Sequence, residues 1–199
     1  ARVHLEKAAK YRSRSAQLSN AYALLYQSEQ EFKLAEEYFE KALARDKNYT
    51  LARYNFAAFL YNQGRLAEAR VQIKQVSEDL GYERRAQAFY ILGLTQKRMG
   101  DSLQALESFE KATQLSSGFP APFLEAAELY FQQKNYPLSK LALDRFRQLT
   151  GPTAQSLWLS VRVEQRFGNR DKAASEGLKL KNLFPYSKEN LAYQAWLKQ

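Results

Sequence analysis

One short segment of this chain recurs in two further, similar copies, and their spacing limits the folds that the chain can adopt. AEEYFEKAL, residues 35–43, returns as ALESFEKAT at residues 105–113, and a shorter version, LEKAA, stands at residues 5–9. Ala42 follows Ala8 by 34 residues, and Ala112 follows Ala42 by 70, which is two periods with two residues to spare. Self-similarity at a fixed period of this size indicates a stacked array of structural repeats.

A period of 34 is that of the tetratricopeptide repeat (TPR), which consists of a helix A, a tight turn and a helix B. With the turn residue at position 15, the glycines Gly64, Gly100 and Gly168 align, and Gln30 and Lys134 occupy the same position. We predict an all-α fold, a TPR repeat superhelix (α-solenoid). It forms a single array over residues 1–199, made of helix B of a truncated first repeat at 1–15, repeats at 16–49, 50–83, 86–119, 120–153 and 154–187, and a C-terminal capping helix at 187–198.

Small residues recur where helices A and B should cross, because small side chains let the two helices approach closely. Position 20 of the repeat shows this best, with Ala35, Ala69, Ala105, Ser139 and Ala173. Position 24 is large and apolar in four repeats but is Gly177 in the last. We therefore expect the terminal helix to pack into the space at Gly177, through Tyr193 or Trp196.

The composition excludes several kinds of chemistry. The chain has no cysteine and one histidine, His4, so a disulfide, a zinc site or a histidine-based triad lacks its residues. No run approaches the roughly 18 apolar residues of a membrane span, and neither GxxxxGK nor GxGxxG occurs. We predict a protein that is not an enzyme, with no catalytic residue, cofactor or metal.

Binding then remains as the function, and TPR arrays usually bind ligands on the concave face lined by helices A. The predicted partner-binding residues are Asn20, Tyr54, Tyr61, Asn62, Tyr90, Lys97, Arg98, Phe131, Trp158, Arg162 and Arg166. Aromatic and arginine side chains dominate the binding energy of many interfaces. The alternative for each ring is packing between adjacent helices, and repeat positions alone do not decide between the two.

Two segments depart from the TPR consensus and are more specific. The insert DLGYERRAQAFYILGL, residues 79–94, and the closing run GNRDKAASEGLKLKNLFPYS, residues 168–187, resemble the PilF/PilW family of TPR lipoproteins, the pilotins of type IV pilus biogenesis. The likeness extends over essentially the whole chain. It implies a protein that helps the pilus secretin reach the outer membrane and multimerise, and so supports pilus formation and twitching motility.

The resemblance also implies partners and a location. The partners would be type IV pilus secretin subunits and further pilus assembly proteins, and the location periplasmic, at the inner face of the outer membrane. The family is anchored there by a lipid on an N-terminal cysteine, which this chain does not contain. Since residues 1–15 align as a helix B without its helix A, we expect the native protein to extend before Ala1.

Two other hypotheses stay open at this point. The chain could be a cytosolic TPR regulatory or scaffold module joined to another domain. It could also bind nucleic acid through its net charge of +9, but acidic residues are interleaved with the basic ones, so we predict no nucleic-acid partner.

Overall fold

The computed structural model describes residues 15–198. This part of the chain contains eleven α-helices and no strand. The helices are α1 (Ala16–Ser28), α2 (Phe32–Arg45), α3 (Thr50–Asn62), α4 (Leu66–Glu78), α5 (Arg85–Met99), α6 (Ser102–Leu115), α7 (Ala121–Gln132), α8 (Tyr136–Thr150), α9 (Ala154–Arg166), α10 (Arg170–Leu183) and α11 (Lys188–Trp196). The predicted all-α TPR fold is confirmed. The predicted half-repeat at 1–15 lies outside the described residues, except for Ser15, the N-cap of α1.

The chain divides into two compact units, the first ending at Ser108 and the second beginning at Phe109. Each repeat start predicted from the sequence lies within one residue of the start of a helix A, namely α1, α3, α5, α7 and α9. The repeat boundaries themselves stay a prediction.

The core of the first unit forms where small residues bring paired helices together. Ala23 and Ala35, at the crossing of α1 and α2, are fully buried, as are Ala57 and Ala69 at the crossing of α3 and α4. Phe39 lies in the same core between the rings of Phe56 and Phe59, with centroids 5.5 Å from each. Small crossing residues and large filling residues therefore act as the repeat pattern predicts.

The second unit repeats this arrangement with one polar addition. Ala127 and Ser139 are fully buried at the crossing of α7 and α8. The Ser139 hydroxyl donates a hydrogen bond of 2.8 Å to the Ala127 carbonyl oxygen. A serine is tolerated here because its buried hydroxyl has an acceptor.

The A–B turns share one backbone conformation. Gly64, Gly100 and Gly168 have φ angles of 76°, 90° and 76°, and the non-glycine residues Gln30 and Lys134 have 63° and 62°. A side chain in this left-handed region costs about 1–2 kcal/mol. The turn geometry is thus common to all five repeats, including the two that do not have glycine.

Helix α11 covers the end of the last repeat. Its N-cap, Ser187, accepts a hydrogen bond from the Asn190 backbone N–H at 3.1 Å, and the helix packs on α9 and α10. Tyr193 is buried in a core cluster with Leu157, Val161 and Leu180. A Cβ atom built on Gly177 would overlap the Tyr193 ring, so the prediction that the terminal helix fills this space is confirmed, with Tyr193 as the filling residue.

Within residues 15–198, none of the helices has the length and apolar character that crossing a membrane requires.

Candidate functional site

The predicted binding residues of the first unit lie on helices A, but not all of them face a ligand. Asn20 on α1 is only 5% exposed. Its side-chain oxygen accepts a hydrogen bond of 3.0 Å from the Asn55 Nδ2 of α3. This amide pair joins two helices A, so we withdraw Asn20 from the predicted surface.

Tyr61 and Arg98 form a stacked pair between α3 and α5. The Arg98 guanidinium carbon lies 4.7 Å from the Tyr61 ring centroid, and its Nη1 donates a hydrogen bond of 2.8 Å to the Tyr61 carbonyl oxygen. Arg98 therefore satisfies a carbonyl at the C-terminal end of α3 as well as offering a charge. Asn62 is exposed next to this pair.

Tyr54 is partly covered by the insert that precedes α5. The centroid of the Tyr82 ring lies 6.1 Å from that of the Tyr54 ring. The guanidinium carbon of Arg84 lies 5.6 Å from the centroid of the Tyr54 ring. Burial raises the pKa of both phenols, although Arg84 opposes the rise. Tyr54 is thus largely a packing residue, while Tyr90 and Lys97 of α5 are half-buried.

The second unit brings all four of its predicted residues into one cavity. This cavity, which we call the aromatic–arginine cleft, has a volume of about 410 Å³ and is lined by Phe131, Trp158, Arg162, Gln165, Arg166 and Trp196. Trp158, Arg162 and Arg166 are spaced by four residues on α9 and so lie on one face of that helix. Their helix begins with a capping box, in which Thr153 and Ser156 exchange hydrogen bonds of 3.2 and 2.8 Å, so its first turn is well fixed.

Aromatic rings form the walls of the cleft. The Trp158 and Trp196 rings meet edge to face with centroids 6.2 Å apart, and Tyr193 contacts both of them from the core side, at 6.0 and 6.2 Å. Phe131 on α7 packs against Tyr136 of α8 at 5.5 Å. Rings packed on one another in this way keep their positions when a ligand arrives, which limits the entropy lost on binding.

Arg162 is held in place by a carboxylate. Glu128 of α7 accepts hydrogen bonds from both of its Nη atoms, at 2.9 and 3.2 Å, and the guanidinium lies 4.8 Å from the Phe131 ring and 5.4 Å from the Trp158 ring. The Nε–H of Arg162 is buried and has no acceptor within the described residues. The charge of Arg162 is therefore neutralised and its plane is fixed.

Arg166, unlike Arg162, is exposed and is not held by a carboxylate of the described residues. Its side chain is exposed, and its guanidinium carbon lies 5.9 Å from the Tyr136 ring. In the part of the chain that the structure describes, Arg166 forms no ion pair. Since none of the six lining residues is acidic, the cleft has a net positive charge at this end.

Two lining residues were missed by the sequence analysis. Trp196 was assigned only to the capping helix, because repeat positions say nothing about a helix outside the repeats. Gln165 lies between two predicted residues of α9, at the repeat position that Tyr61 and Lys97 occupy in earlier repeats, but it was not included among the predicted residues. The spacing of Trp158 from Gln165, seven residues on one helix face, is the signal that could have found it.

Across residues 15–198, no cluster of three or more histidine, cysteine, aspartate or glutamate side chains could hold a metal ion. The cleft itself contains rings, an amide and arginines, which suit binding rather than proton transfer.

Comparison with known proteins adds to this geometry. Models of the tetratricopeptide repeat match residues 26–90 and 86–119. The chain is 39% identical over 195 residues to the type IV pilus assembly protein PilF of Pseudomonas aeruginosa. The alignment covers 98% of this chain and 77% of that protein.

Solved structures give the same picture. The structure of Pseudomonas aeruginosa PilF matches with a TM-score of 0.91 over 98% of this chain and 87% of its own. The type IV pilus biogenesis factor PilW, at 21% identity, matches with a TM-score of 0.82 over 96% of this chain and 87% of its own. The second likeness shows the fold alone.

Proposed function

This chain belongs to the PilF family of type IV pilus assembly proteins, and from that membership we propose that it is a non-catalytic adaptor that binds subunits of the type IV pilus secretin. By holding a secretin segment, the adaptor promotes localisation of the subunits to the outer membrane and their assembly into multimers. Other pilus assembly proteins are further partners.

The observation that carries the adaptor role is the aromatic–arginine cleft. Two tryptophans, a phenylalanine and an unneutralised arginine line one cavity, and these are the residue types that anchor protein partners. A cavity of about 410 Å³ accommodates a few side chains of a peptide segment. The stacked pair of Tyr61 and Arg98, with Asn62, Tyr90 and Lys97 close by in sequence, forms a second proposed contact surface in the first unit.

The distribution of charge favours a protein partner over nucleic acid. Many basic side chains are already paired, as Arg65 is with Glu36, Arg70 with Asp101 and Arg147 with Glu176. A nucleic-acid site needs a continuous track of unpaired cations along the phosphate backbone. The arginines in these pairs are neutralised by carboxylates and cannot contribute to such a track.

We also propose a location for the protein, the periplasm at the inner face of the outer membrane. The family membership supports a place in the cell envelope, where pilus assembly proteins act. The anchor would be a lipid on an N-terminal cysteine of the full-length protein. Labelling the full-length protein with radioactive palmitate, with a cysteine-to-serine variant as control, tests this part, and an unlabelled protein would contradict it.

The secretin role is tested in the source bacterium. Deleting the gene should reduce secretin multimers in the outer-membrane fraction, and the wild-type gene should restore them. The double variant Phe131→Ala with Trp158→Ala should fail to restore them, because losing a buried aromatic anchor costs about 2 kcal/mol or more, roughly a thirtyfold loss of affinity. Purified variants are first checked for folding by thermal unfolding.

Two further variants make the result specific. Tyr186→Ala removes an aromatic ring that is 96% exposed outside the cleft and should restore multimers fully. Tyr61→Ala with Tyr90→Ala tests the second proposed contact surface, in the first unit, in the same assay. Wild-type multimer levels in the gene deletion would overturn the proposed function, whereas wild-type levels in the cleft variant alone would move the binding site elsewhere.

A further inference from the structure

The chemistry of the cleft also specifies what kind of segment it holds. Resting on the proposed function, we infer that the aromatic–arginine cleft selects a segment of the partner that presents a large apolar side chain next to a carboxylate. The apolar side chain would enter between the rings, and the carboxylate would pair with Arg166.

The apolar part of this inference follows from the walls. Phe131, Trp158 and Trp196 contribute three ring surfaces to one cavity, and the edge-to-face contact of the two tryptophans fixes their relative orientation. Another ring or a branched aliphatic group gains both apolar burial and favourable ring contacts in such a site. A short polar side chain gains neither.

The acidic part follows from the difference between the two arginines. Glu128 already neutralises Arg162 through a bidentate pair, so this guanidinium serves as a stacked wall of the cleft. Arg166 is the cation that no carboxylate pairs with in the described residues, and no acidic residue lines the cleft. A ligand carboxylate would complete the charge balance, whereas a ligand cation would face repulsion.

A single-stranded nucleic acid is the other ligand that stacks on rings near arginine, but the cleft fits it less well. Base-stacking proteins combine their rings with a row of cations that follows successive phosphates. Of the six lining residues that the structure describes, Arg166 is the one unneutralised cation, and a single cation matches one carboxylate rather than a phosphate chain.

The two tryptophans of the chain, Trp158 and Trp196, both line the cleft, so tryptophan fluorescence reports its occupancy directly. The experiment titrates the purified protein with three blocked pentapeptides. The first contains phenylalanine followed by aspartate, the second replaces aspartate with asparagine, and the third replaces phenylalanine with alanine. We expect binding to weaken about fivefold with asparagine and about tenfold or more with alanine.

Matched variants assign the preference to Arg166. Arg166→Gln should abolish the preference for aspartate over asparagine while it leaves the preference for phenylalanine. Arg170→Gln removes the same charge from an exposed position outside the cleft and should keep both preferences. Loss of the aspartate preference in Arg170→Gln, or its retention in Arg166→Gln, would overturn the inference.

The remaining outcomes also decide. Absence of a saturable change with any peptide up to millimolar concentration overturns the inference, as does tighter binding of a single-stranded thymidine oligonucleotide than of the aspartate peptide. If the secretin needs the cleft but the peptides show no aspartate preference, this inference fails and the proposed function stands. If the preference is found but secretin multimers do not need the cleft, the inference about the cleft stands and the proposed secretin site fails.

Discussion

At the scale of single residues, Glu164 is the position where the repeat pattern and the chemistry of the core differ most. It occupies position 11, which is Leu60 in the second repeat, and only 2% of its side chain is exposed. Its carboxylate pairs with Lys140, with Lys172 at 3.0 Å, and accepts a hydrogen bond from Asn169 at 2.7 Å. A buried charge persists here because three donors surround it.

This environment of Glu164 makes the free energy of unfolding depend on pH. Burial alone would raise the pKa of Glu164, but the hydrogen bonds from Lys140, Asn169 and Lys172 outweigh it and lower the pKa from 4.5 to about 2. Because the folded-state pKa is depressed, the stabilisation is fully present above about pH 4.5 and is lost as the pH falls toward 2. We expect Glu164→Gln to cost on the order of 2 kcal/mol at neutral pH and almost nothing near pH 2.

The measurement is urea unfolding followed by circular dichroism between pH 2 and 7 for the wild type and Glu164→Gln. Glu40→Gln, at an exposed position of α2, serves as the control and should follow the wild type at each pH. A difference between wild type and Glu164→Gln that stays constant over this range would contradict the assignment of the pKa shift.

At the scale of elements, the contact of α11 with α10 replaces the ordinary contact between repeats. Position 24 is fully buried as Phe39, Ile73 and Phe109 in the earlier repeats. Phe39 and Ile73 pack with residues of the next helix A, α3 and α5 respectively. In the last repeat the filling group comes from the other side, as Tyr193 lies where the side chain of residue 177 would be. A helix-destabilising glycine in the middle of α10 is therefore compensated by packing.

The effect of Gly177→Ala on stability should change sign when the Tyr193 ring is removed. Alanine normally stabilises a helix relative to glycine by about 1 kcal/mol, but at Gly177 its Cβ meets the buried Tyr193 ring. We expect Gly177→Ala to destabilise the wild type by about 1–3 kcal/mol through overpacking. In a Tyr193→Ala background the same change should stabilise by up to about 1 kcal/mol, because the ring is gone.

The four proteins of this cycle are compared by the free energy of unfolding in urea. Leu191→Ala is the matched control on α11, since this leucine is 61% exposed, and it should leave the effect of Gly177→Ala unchanged. The same sign of effect in both backgrounds would show that Tyr193 does not oppose a side chain at residue 177.

At the scale of the whole molecule, the sequence predicts those features that recur in each repeat. The helices, their crossing residues and the turns recur at fixed positions, so Gln30 and Lys134 could be assigned to turns although neither is glycine. The cleft residues Trp158, Arg162 and Arg166 were found in the same way, since α9 presents them on one face.

Features that occur once could not be predicted in this way. The burial of Asn20 depends on its amide partner Asn55, and the cover over Tyr54 depends on Tyr82 of a non-repeating insert. Trp196 enters the cleft through a helix that has no counterpart in the repeats. Such contacts depend on side-chain geometry in three dimensions, which a position in a repeat does not specify.

The placement of the tryptophans gives a test of cooperativity for the whole chain. Both lie in the second unit, whereas circular dichroism reports all helices. Because repeats in such arrays are stabilised chiefly by their nearest neighbours, we expect Phe39→Ala, which removes a fully buried ring of the first unit at a cost of about 3–5 kcal/mol, to shift the dichroism transition more than the fluorescence transition.

Leu180→Ala, at a fully buried position near Tyr193, is the converse variant and should shift the fluorescence transition. Equal shifts of both signals with Phe39→Ala would mean that the array unfolds as one unit.

The filling of the space at Gly177 by Tyr193 also affects how such an array can gain repeats. Repeat proteins gain length when a stretch of the gene is duplicated, and a new copy must offer its neighbour the large residue at position 24 on which the next helix packs. If residues 154–187 were copied before α11, the copy would pack against Tyr193, but the repeat before it would offer its glycine to helix A of the copy, where no Tyr193 fills the gap. Lengthening the array by duplicating its last repeat therefore needs a compensating mutation at the glycine of the first of the two copies, whereas duplicating an internal repeat needs none.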